Sequence, residues 1–448
     1  MSEKEAITSY GVLVLIVLSF AGFLFGYHVA IVSGALIFLT SAFSLSTSAE
    51  GFFVAVMLLG GLGGALIAGP MADHLGRKKS LACAVLLFII GSWCIVGAID
   101  YTSLLWGRVM SGLAAGIVTV ISPMSLAEIA PPAYRGRCVS LFQFMIALGI
   151  LLAYGISFIF AHAQVWQPPF KVGILLSVVQ FAALFALPET PAWLLTQGKR
   201  NQAESVWRKV RADTQWQKEL EQITPLKEKH NRWQLCFKSY FFKILCIGVA
   251  LNLFQQITGI NAVIYYTPRI FKELGIDSSF GMFLATLVVG LINVLATVFS
   301  AWILDKVGRK RLLLVGSAGM TLSLTLLSTL FLKRNSINDA IACFSLISYV
   351  AFFAMSLGPV TWVVLSEIFP LSIRGSGMAI AIACNWLANY VVALTFPDLI
   401  QRFGVSIVFA LFGSLYLLAF LFIYRFIPET KGKTLEEIET MVKLRKKV

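Results

Sequence analysis

Asp73-His74-Leu75-Gly76-Arg77-Lys78-Lys79 returns as Asp305-Lys306-Val307-Gly308-Arg309-Lys310-Arg311, 232 positions further on. Outward from it, Glu128 with Arg135-Gly136 returns as Glu367 with Arg374-Gly375 after 239 positions. Pro188-Glu189-Thr190 returns as Pro428-Glu429-Thr430 after 240. Each copy sits just beyond a long apolar segment, so the repeated unit is half of the chain. A parallel duplication of six apolar spans predicts an all-α membrane protein, with 12 transmembrane helices in two pseudo-symmetric six-helix bundles.

Composition leads to the same class. Of 448 residues, 58% are hydrophobic and 13% charged, and mean hydropathy is +0.83. A soluble fold cannot hide that much apolar surface, whereas a bilayer solvates it. Apolar stretches of about 20 residues, long enough to cross a bilayer, fall near 10–32, 51–72, 80–99, 104–127, 138–160, 170–188, 242–272, 280–303, 311–332, 340–366, 376–399 and 404–427. The domains expected are an N-terminal bundle (1–190), a cytoplasmic linker with short amphipathic helices (191–241), a C-terminal bundle (242–428) and a cytoplasmic tail (429–448).

The polar segment Met1 to Tyr10 precedes an apolar run too long for a signal-peptide core, which is read as a retained first span. An even number of spans places both termini on one side. Arg77, Lys78, Lys79, Arg135, Arg137, the basic residues between Lys199 and Lys243, Lys306 to Arg311, Arg374 and Lys431 to Lys447 share that side, which makes it cytoplasmic. The membrane is therefore the cell (inner or plasma) membrane. Positive-inside bias and anionic lipid account for the net charge of +14 without nucleic acid.

Seven cysteines form no C-x-x-C pair, and most lie in apolar spans, so they read as structural thiols. Four histidines form no metal motif, and no nucleophile–base constellation is present. No enzyme, metal or cofactor is expected. The polar stretch from Ala192 to Tyr240 contains two charged amphipathic segments, Arg200 to Ala212 and Gln215 to Glu221. It is expected to form a helical layer latching the halves. Gly60-Gly61-Leu62-Gly63-Gly64 with Gly69 lacks the strand and the Lys-Ser/Thr of a phosphate loop; close helix packing explains it.

Five further strings carry a family likeness: Gln255-Gln256-Ile257-Thr258-Gly259-Ile260-Asn261, Pro188-Glu189-Thr190-Pro191, Pro428-Glu429-Thr430-Lys431-Gly432, Arg135-Gly136-Arg137 and Gly358-Pro359-Val360-Thr361-Trp362. With both Gly-Arg-Lys loops, and in this order, the chain resembles the sugar porter family of the major facilitator superfamily along essentially its whole length. Its likeness is strongest to bacterial D-xylose/hexose–proton symporters and to facilitative glucose transporters. The resemblance implies the major facilitator fold and a small neutral sugar bound between the halves.

The residues make that chemistry sensible. A sugar is uncharged and ringed with hydroxyls that donate and accept, so amides and aromatic faces suit it. Gln143, Gln255, Gln256, Asn261, Asn293, Asn385 and Asn389 all fall in apolar spans. A buried amide is costly unless satisfied, and so many suggest one shared wet cavity. On an ideal helix Gln255 and Asn261 point about 120° apart, so the seventh span must unwind, with Thr258-Gly259 as the place. Gly358-Pro359 is expected to break the tenth span and deliver Trp362. The resemblance makes Gln143, Gln255, Gln256, Asn261, Asn293 and Trp362 sugar contacts, with Phe25, Tyr265 and Trp386 as aromatic lining. Asn385 stands where xylose-type proteins have glutamine.

Asp73, Arg77, Glu128, Arg135 and Glu189 mirror Asp305, Arg309, Glu367, Arg374 and Glu429 and are expected to form a cytoplasmic gate of weak ion pairs, each about 0–1 kcal/mol. Ala192 replaces the arginine usual in the family after Pro-Glu-Ser/Thr-Pro, so one contact is expected to be missing. Proton-moving members carry an aspartate after Phe-Gly-Tyr, paired with an arginine of the fourth span, and facilitators carry asparagine. Here the string is Phe25-Gly26-Tyr27-His28, with Arg108 at the matching place. Histidine titrates near pH 6.5 when unperturbed. His28 and Arg108 are the proton-coupling candidates, and the reading is alternating-access sugar:proton symport by a monomer embedded in lipid. A uniporter stays open. A sugar sensor is the rival class, against which the short tail after Thr430 argues.

Overall fold

The structure is a computed structural model, and it describes residues 7–131, 135–163, 165–212, 237, 239–276, 278–332, 336–369 and 374–431. The predicted segment Gln215 to Glu221 lies outside the described residues, as do the side chains of Arg135, Asp305 and Arg374.

Among the described residues the chain is helical almost throughout. The first repeat supplies α1 (Ser9–Phe43), α2 (Thr47–Leu75), α3 (Arg77–Val96), α4 (Tyr101–Ile129), α5 (Arg135–Ile159) and α6 (Gln167–Phe185). Two short helices follow, α7 (Pro191–Thr196) and α8 (Arg200–Val210). The second repeat supplies α9 (Ser239–Ile257), α10 (Ile260–Glu273), α11 (Ser279–Val307), α12 (Arg309–Leu332), α13 (Ser336–Met355), α14 (Leu357–Ile368) and α15 (Arg374–Phe426).

Backbone donors and acceptors cannot be left open in hydrocarbon, and helices close them internally. Among the described residues, eleven helical segments are long and apolar enough to cross a membrane. The last of them is jointed at Gly404 (φ 78°, ψ 161°), so it provides two crossings and the total is twelve. Lipid-facing surface is apolar: Trp93, Phe185, Leu322 and Phe344 are each about seven-tenths exposed.

The glycine run packs helices, as the sequence indicates. Gly60 and Gly64 of α2 lie against the backbone carbonyls of Val109 and Leu113 on α4, where any Cβ would collide. Asp100 starts α4 by accepting the Ser103 backbone N–H at 2.8 Å.

The chain forms two compact units. The first holds Met1–Val29, Gly60–Ile150 and Gln167–His230; the second holds Ala30–Leu59, Leu151–Trp166 and Asn231–Val448. Within the first unit, α8 buries Ala203, Trp207 and Val210. Its end docks on the start of α1, where the Thr8 N–H donates to Val210 O at 3.0 Å. The predicted helix at Arg200 is thus present, and it is fastened to the first repeat.

Candidate functional site

The second unit gathers amides around two helix breaks. α9 stops at Ile257 because Thr258 turns its hydroxyl back on Phe254 O at 2.8 Å, and Gly259 takes φ +86°. Only glycine holds that left-handed conformation without strain. The chain then restarts as α10, so Asn261 comes round to donate to Gln256 Oε1 at 2.7 Å. The unwinding expected at Thr258-Gly259 is observed.

Asn385 of α15 stands at the centre. Its Oδ1 accepts from Gln256 Nε2 at 3.0 Å, and its Nδ2 donates to Gln255 Oε1 at 2.8 Å and Asn252 Oδ1 at 3.2 Å. Gln255 Nε2 donates to Leu357 O at 2.8 Å and Gly358 O at 3.3 Å. Gln255 and Asn385 are therefore held by protein partners. Among the described residues Gln256 and Asn261 keep donor and acceptor positions open, and the carbonyl oxygens of Gln255 and Asn385 each keep a second lone pair.

The second break differs slightly from expectation. It falls at Ser356 (φ −126°, ψ −94°), ahead of Gly358-Pro359, which already belong to the first turn of α14. Proline is at home in a first helical turn, and its missing N–H leaves the carbonyl four residues back unpaired. That carbonyl is Met355 O, and Ser300 Oγ of α11 donates to it at 2.8 Å.

Asn389 and Tyr265 extend the patch: Asn389 Nδ2 donates to the Tyr265 hydroxyl at 3.2 Å. Asn389 Oδ1 and Thr361 Oγ1 are buried without a partner among the described residues. Trp386 is buried, while Trp362 and Asn293 are half-buried. Gln143 and Phe25, both half-buried, belong to the first unit.

His28 is buried in the first unit, its ring stacked on Phe88 with centroids 4.3 Å apart. Ser177 Oγ donates to Gly173 O at 2.8 Å, so it accepts from His28 Nε2 at 3.3 Å. Ser92 Oγ faces Nδ1 at 3.5 Å. Arg108 Nη1 donates to the backbone carbonyl of His28 at 3.2 Å. The two candidates are brought together, through the main chain.

The charged repeats adopt the same geometry twice. Arg77 grips Glu128 through Nη2 (2.7 Å) and Nε (3.1 Å), and Arg309 grips Glu367 through Nη2 (3.1 Å) and Nε (3.3 Å). Thr190 and Thr430 donate to the same glutamates, each at 2.5 Å. Glu189 accepts the backbone N–H of Arg77 at 2.8 Å, and Glu429 that of Arg309 at 2.9 Å. Each thereby caps a helix N-terminus, where a carboxylate is favoured.

Gly76 (φ +88°) and Gly308 (φ +96°) precede those helices, and the capping carboxylate occupies the place where a Cβ would stand. These are not the exposed pairs expected: the Arg77 side chain is 10% exposed and that of Glu128 16%. Asp73 approaches Arg77 only to 3.9 Å, and Trp193 Nε1 donates to Asp73 O at 3.0 Å beside the substituted Ala192.

Two groups escaped the sequence reading. Asn252 lies one turn before Gln255 and Gln256, and that spacing was its available signal. The ion pair of Glu50 with Arg269, at 2.6 Å, joins positions 219 apart with no local pattern to announce it.

Comparison with known proteins accords with this architecture. A family model described as "Sugar (and other) transporter" matches residues 14–442. The D-xylose-proton symporter of Escherichia coli K12 is 36% identical, over 97% of this chain and 96% of its own. The arabinose-proton symporter of Bacillus subtilis is 37% identical, over 94% and 92%. A partially occluded, inward-open structure of the E. coli xylose transporter XylE superposes with a TM-score of 0.83 at 33% identity, over 95% of this chain and 100% of that one. Duplicated six-span repeats, broken helices at an amide cluster and a family match across nearly the whole length lead to one conclusion: the chain belongs to the sugar transporter family of the major facilitator superfamily.

Proposed function

We propose that this chain is a multi-pass monosaccharide–proton symporter of the cell membrane, working by alternating access as a monomer with both termini cytoplasmic. Relatives named as D-xylose-proton and arabinose-proton symporters, and a glucose transporter of Staphylococcus epidermidis 35% identical, support a pentose or hexose as cargo. The observation that carries the reading is the amide cluster at the breaks before α10 and α14. Gln256 and Asn261 present uncharged donors and acceptors there, and Asn389 Oδ1 and Thr361 Oγ1 lack partners among the described residues. A buried unpaired polar atom costs about 1–3 kcal/mol, and a sugar hydroxyl would remove that cost. Trp362 and Trp386 supply the apolar faces.

His28 is the coupling group in this reading. Ser177 Oγ, its own proton spent on Gly173 O, accepts from Nε2, so the added proton goes on Nδ1, where Ser92 Oγ can turn to accept it. Arg108 sits on its carbonyl and orients the turn. The same snug setting favours a second reading, uniport, in which His28 is a neutral plug. The Arg77–Glu128 and Arg309–Glu367 clamps form the cytoplasmic gate, with Arg135, Arg374, Asp73 and Asp305 as its outlying charges.

Uptake of labelled xylose, arabinose, glucose and galactose into vesicles, with and without an inward proton gradient, tests the proposal. Accumulation above the outside concentration that collapses with the gradient is expected. Equilibration without accumulation discards symport and leaves uniport.

A further inference from the structure

Glu50 lies in the first turn of α2, at the opposite end of that helix from Asp73; 29 residues separate the ends by about 40 Å. Among the described residues it is the only acidic side chain that is buried, 8% exposed. Both of its oxygens are bound. Oε1 accepts from Thr40 Oγ1 at 2.6 Å, and Oε2 accepts from Arg269 Nη1 at 2.6 Å. Thr40 closes α1, Glu50 opens α2 and Arg269 lies in the second half of α10, so one carboxylate ties three helices drawn from both sequence repeats. All three belong to the second compact unit.

The neighbourhood is consistent with a seam that can part. Gly51 rests on the Leu394 carbonyl of α15, and Ser48 Oγ reaches Asp398 Oδ1 at 3.5 Å. Arg269 also lines a cavity of about 490 Å³ with Thr47, Glu273 and Gln401. Its side chain is 38% exposed, so water reaches the pair from one side. Of the other charged groups nearby, Glu273 lines the same cavity and Asp398 of α15 faces Ser48 beside Glu50. α10 is preceded by Gly259 (φ +86°) and kinked at Tyr266 (φ −112°, ψ 15°), so its far half is a separate short segment.

We propose that Glu50 and Arg269 are positioning residues of the transport cycle: their ion pair pins the far half of α10 to the α1–α2 corner and holds that face, the one opposite the Gly-Arg-Lys loops, shut. The proposal rests on the alternating-access reading. Opening the face requires the guanidinium to leave Glu50 and take water from the cavity side. Thr40 stays on the carboxylate as a partial replacement.

The test uses the full chain in lipid vesicles, with native cysteines replaced and spin labels at Ser46→Cys and Arg402→Cys. Double electron–electron resonance reads the open-to-closed ratio with and without sugar. Glu50→Gln and Arg269→Gln should each raise that ratio about tenfold, the equivalent of about 1.4 kcal/mol. The charge-swapped E50R/R269E protein should return it toward the parent value, which a purely structural role for either residue would not predict. Unchanged distances in the single variants, or a swap that restores nothing, overturn the proposal. A parent protein whose distances ignore sugar altogether overturns the alternating-access reading first, and the latch with it.

Discussion

Gln256 is the residue on which the amide cluster turns. It donates to Asn385 and accepts from Asn261, so it joins α9, α10 and α15 in two bonds. Gln256→Ala removes both and leaves buried Asn385 and half-buried Asn261 each short of a partner, the buried one at about 1–3 kcal/mol. Sugar affinity should fall about 10- to 100-fold by isothermal titration, with membrane insertion intact; unweakened binding would remove Gln256 from the contact set. His28 offers a second residue-scale prediction. His28→Asp places a carboxylate beside Arg108, and steady-state accumulation driven by an outside-acid gradient should rise. Transport that stays indifferent to pH in this variant shows that the position does not couple.

At the scale of elements, the two Gly-then-Arg starts of α3 and α12 are the same device. A positive φ turns the chain, a carboxylate from a distant Pro-Glu-Thr caps the new helix, and its arginine clamps a second glutamate. Gly76→Ala forces a Cβ against Glu189 as well as an unfavourable backbone (φ 88°, ψ 169°), at about 1–3 kcal/mol for the backbone alone. Thermal unfolding in detergent should move to lower temperature by a similar amount for Gly76→Ala and Gly308→Ala. A neutral result at either position contradicts the capping geometry. The break between α13 and α14 makes a kinetic prediction. Pro359→Ala restores an N–H that competes with Ser300 for Met355 O and lets the helix run on. The expected outcome is a slower turnover with little change in sugar affinity, read from initial uptake rates over a range of sugar concentrations.

For the whole molecule, duplication implies equivalence. The Arg77–Glu128 and Arg309–Glu367 clamps share the same donor atoms, the same threonine partner and partial burial, so Glu128→Gln and Glu367→Gln should impair net uptake to a similar degree. Breaking one member of a buried pair costs about 3–5 kcal/mol; partial burial places these toward the lower end. Counterflow in preloaded vesicles compares the two directly, and a large loss in one variant alone would show that the repeats have divided the work. A membrane of about 100 mV supplies about 2.3 kcal/mol per proton charge, more than the 1.4 kcal/mol that tenfold sugar accumulation requires.

Hydropathy and the 232-to-240-residue repeat are enough, from the sequence alone, to specify twelve crossings, because lipid requires apolar helices of one length whatever they pack against. The break at Thr258-Gly259 was likewise legible, since two amides six residues apart cannot share a helix face. Three-dimensional packing decided the rest. The break at Ser356 falls two residues before its glycine because Pro359 fits a first helical turn. Gln255 and Asn385 found protein partners on helices far from them in sequence. Glu50 found Arg269 across 219 residues. Local pattern reports what a residue prefers; which long-range partner satisfies a buried polar group depends on how helices distant in sequence come together.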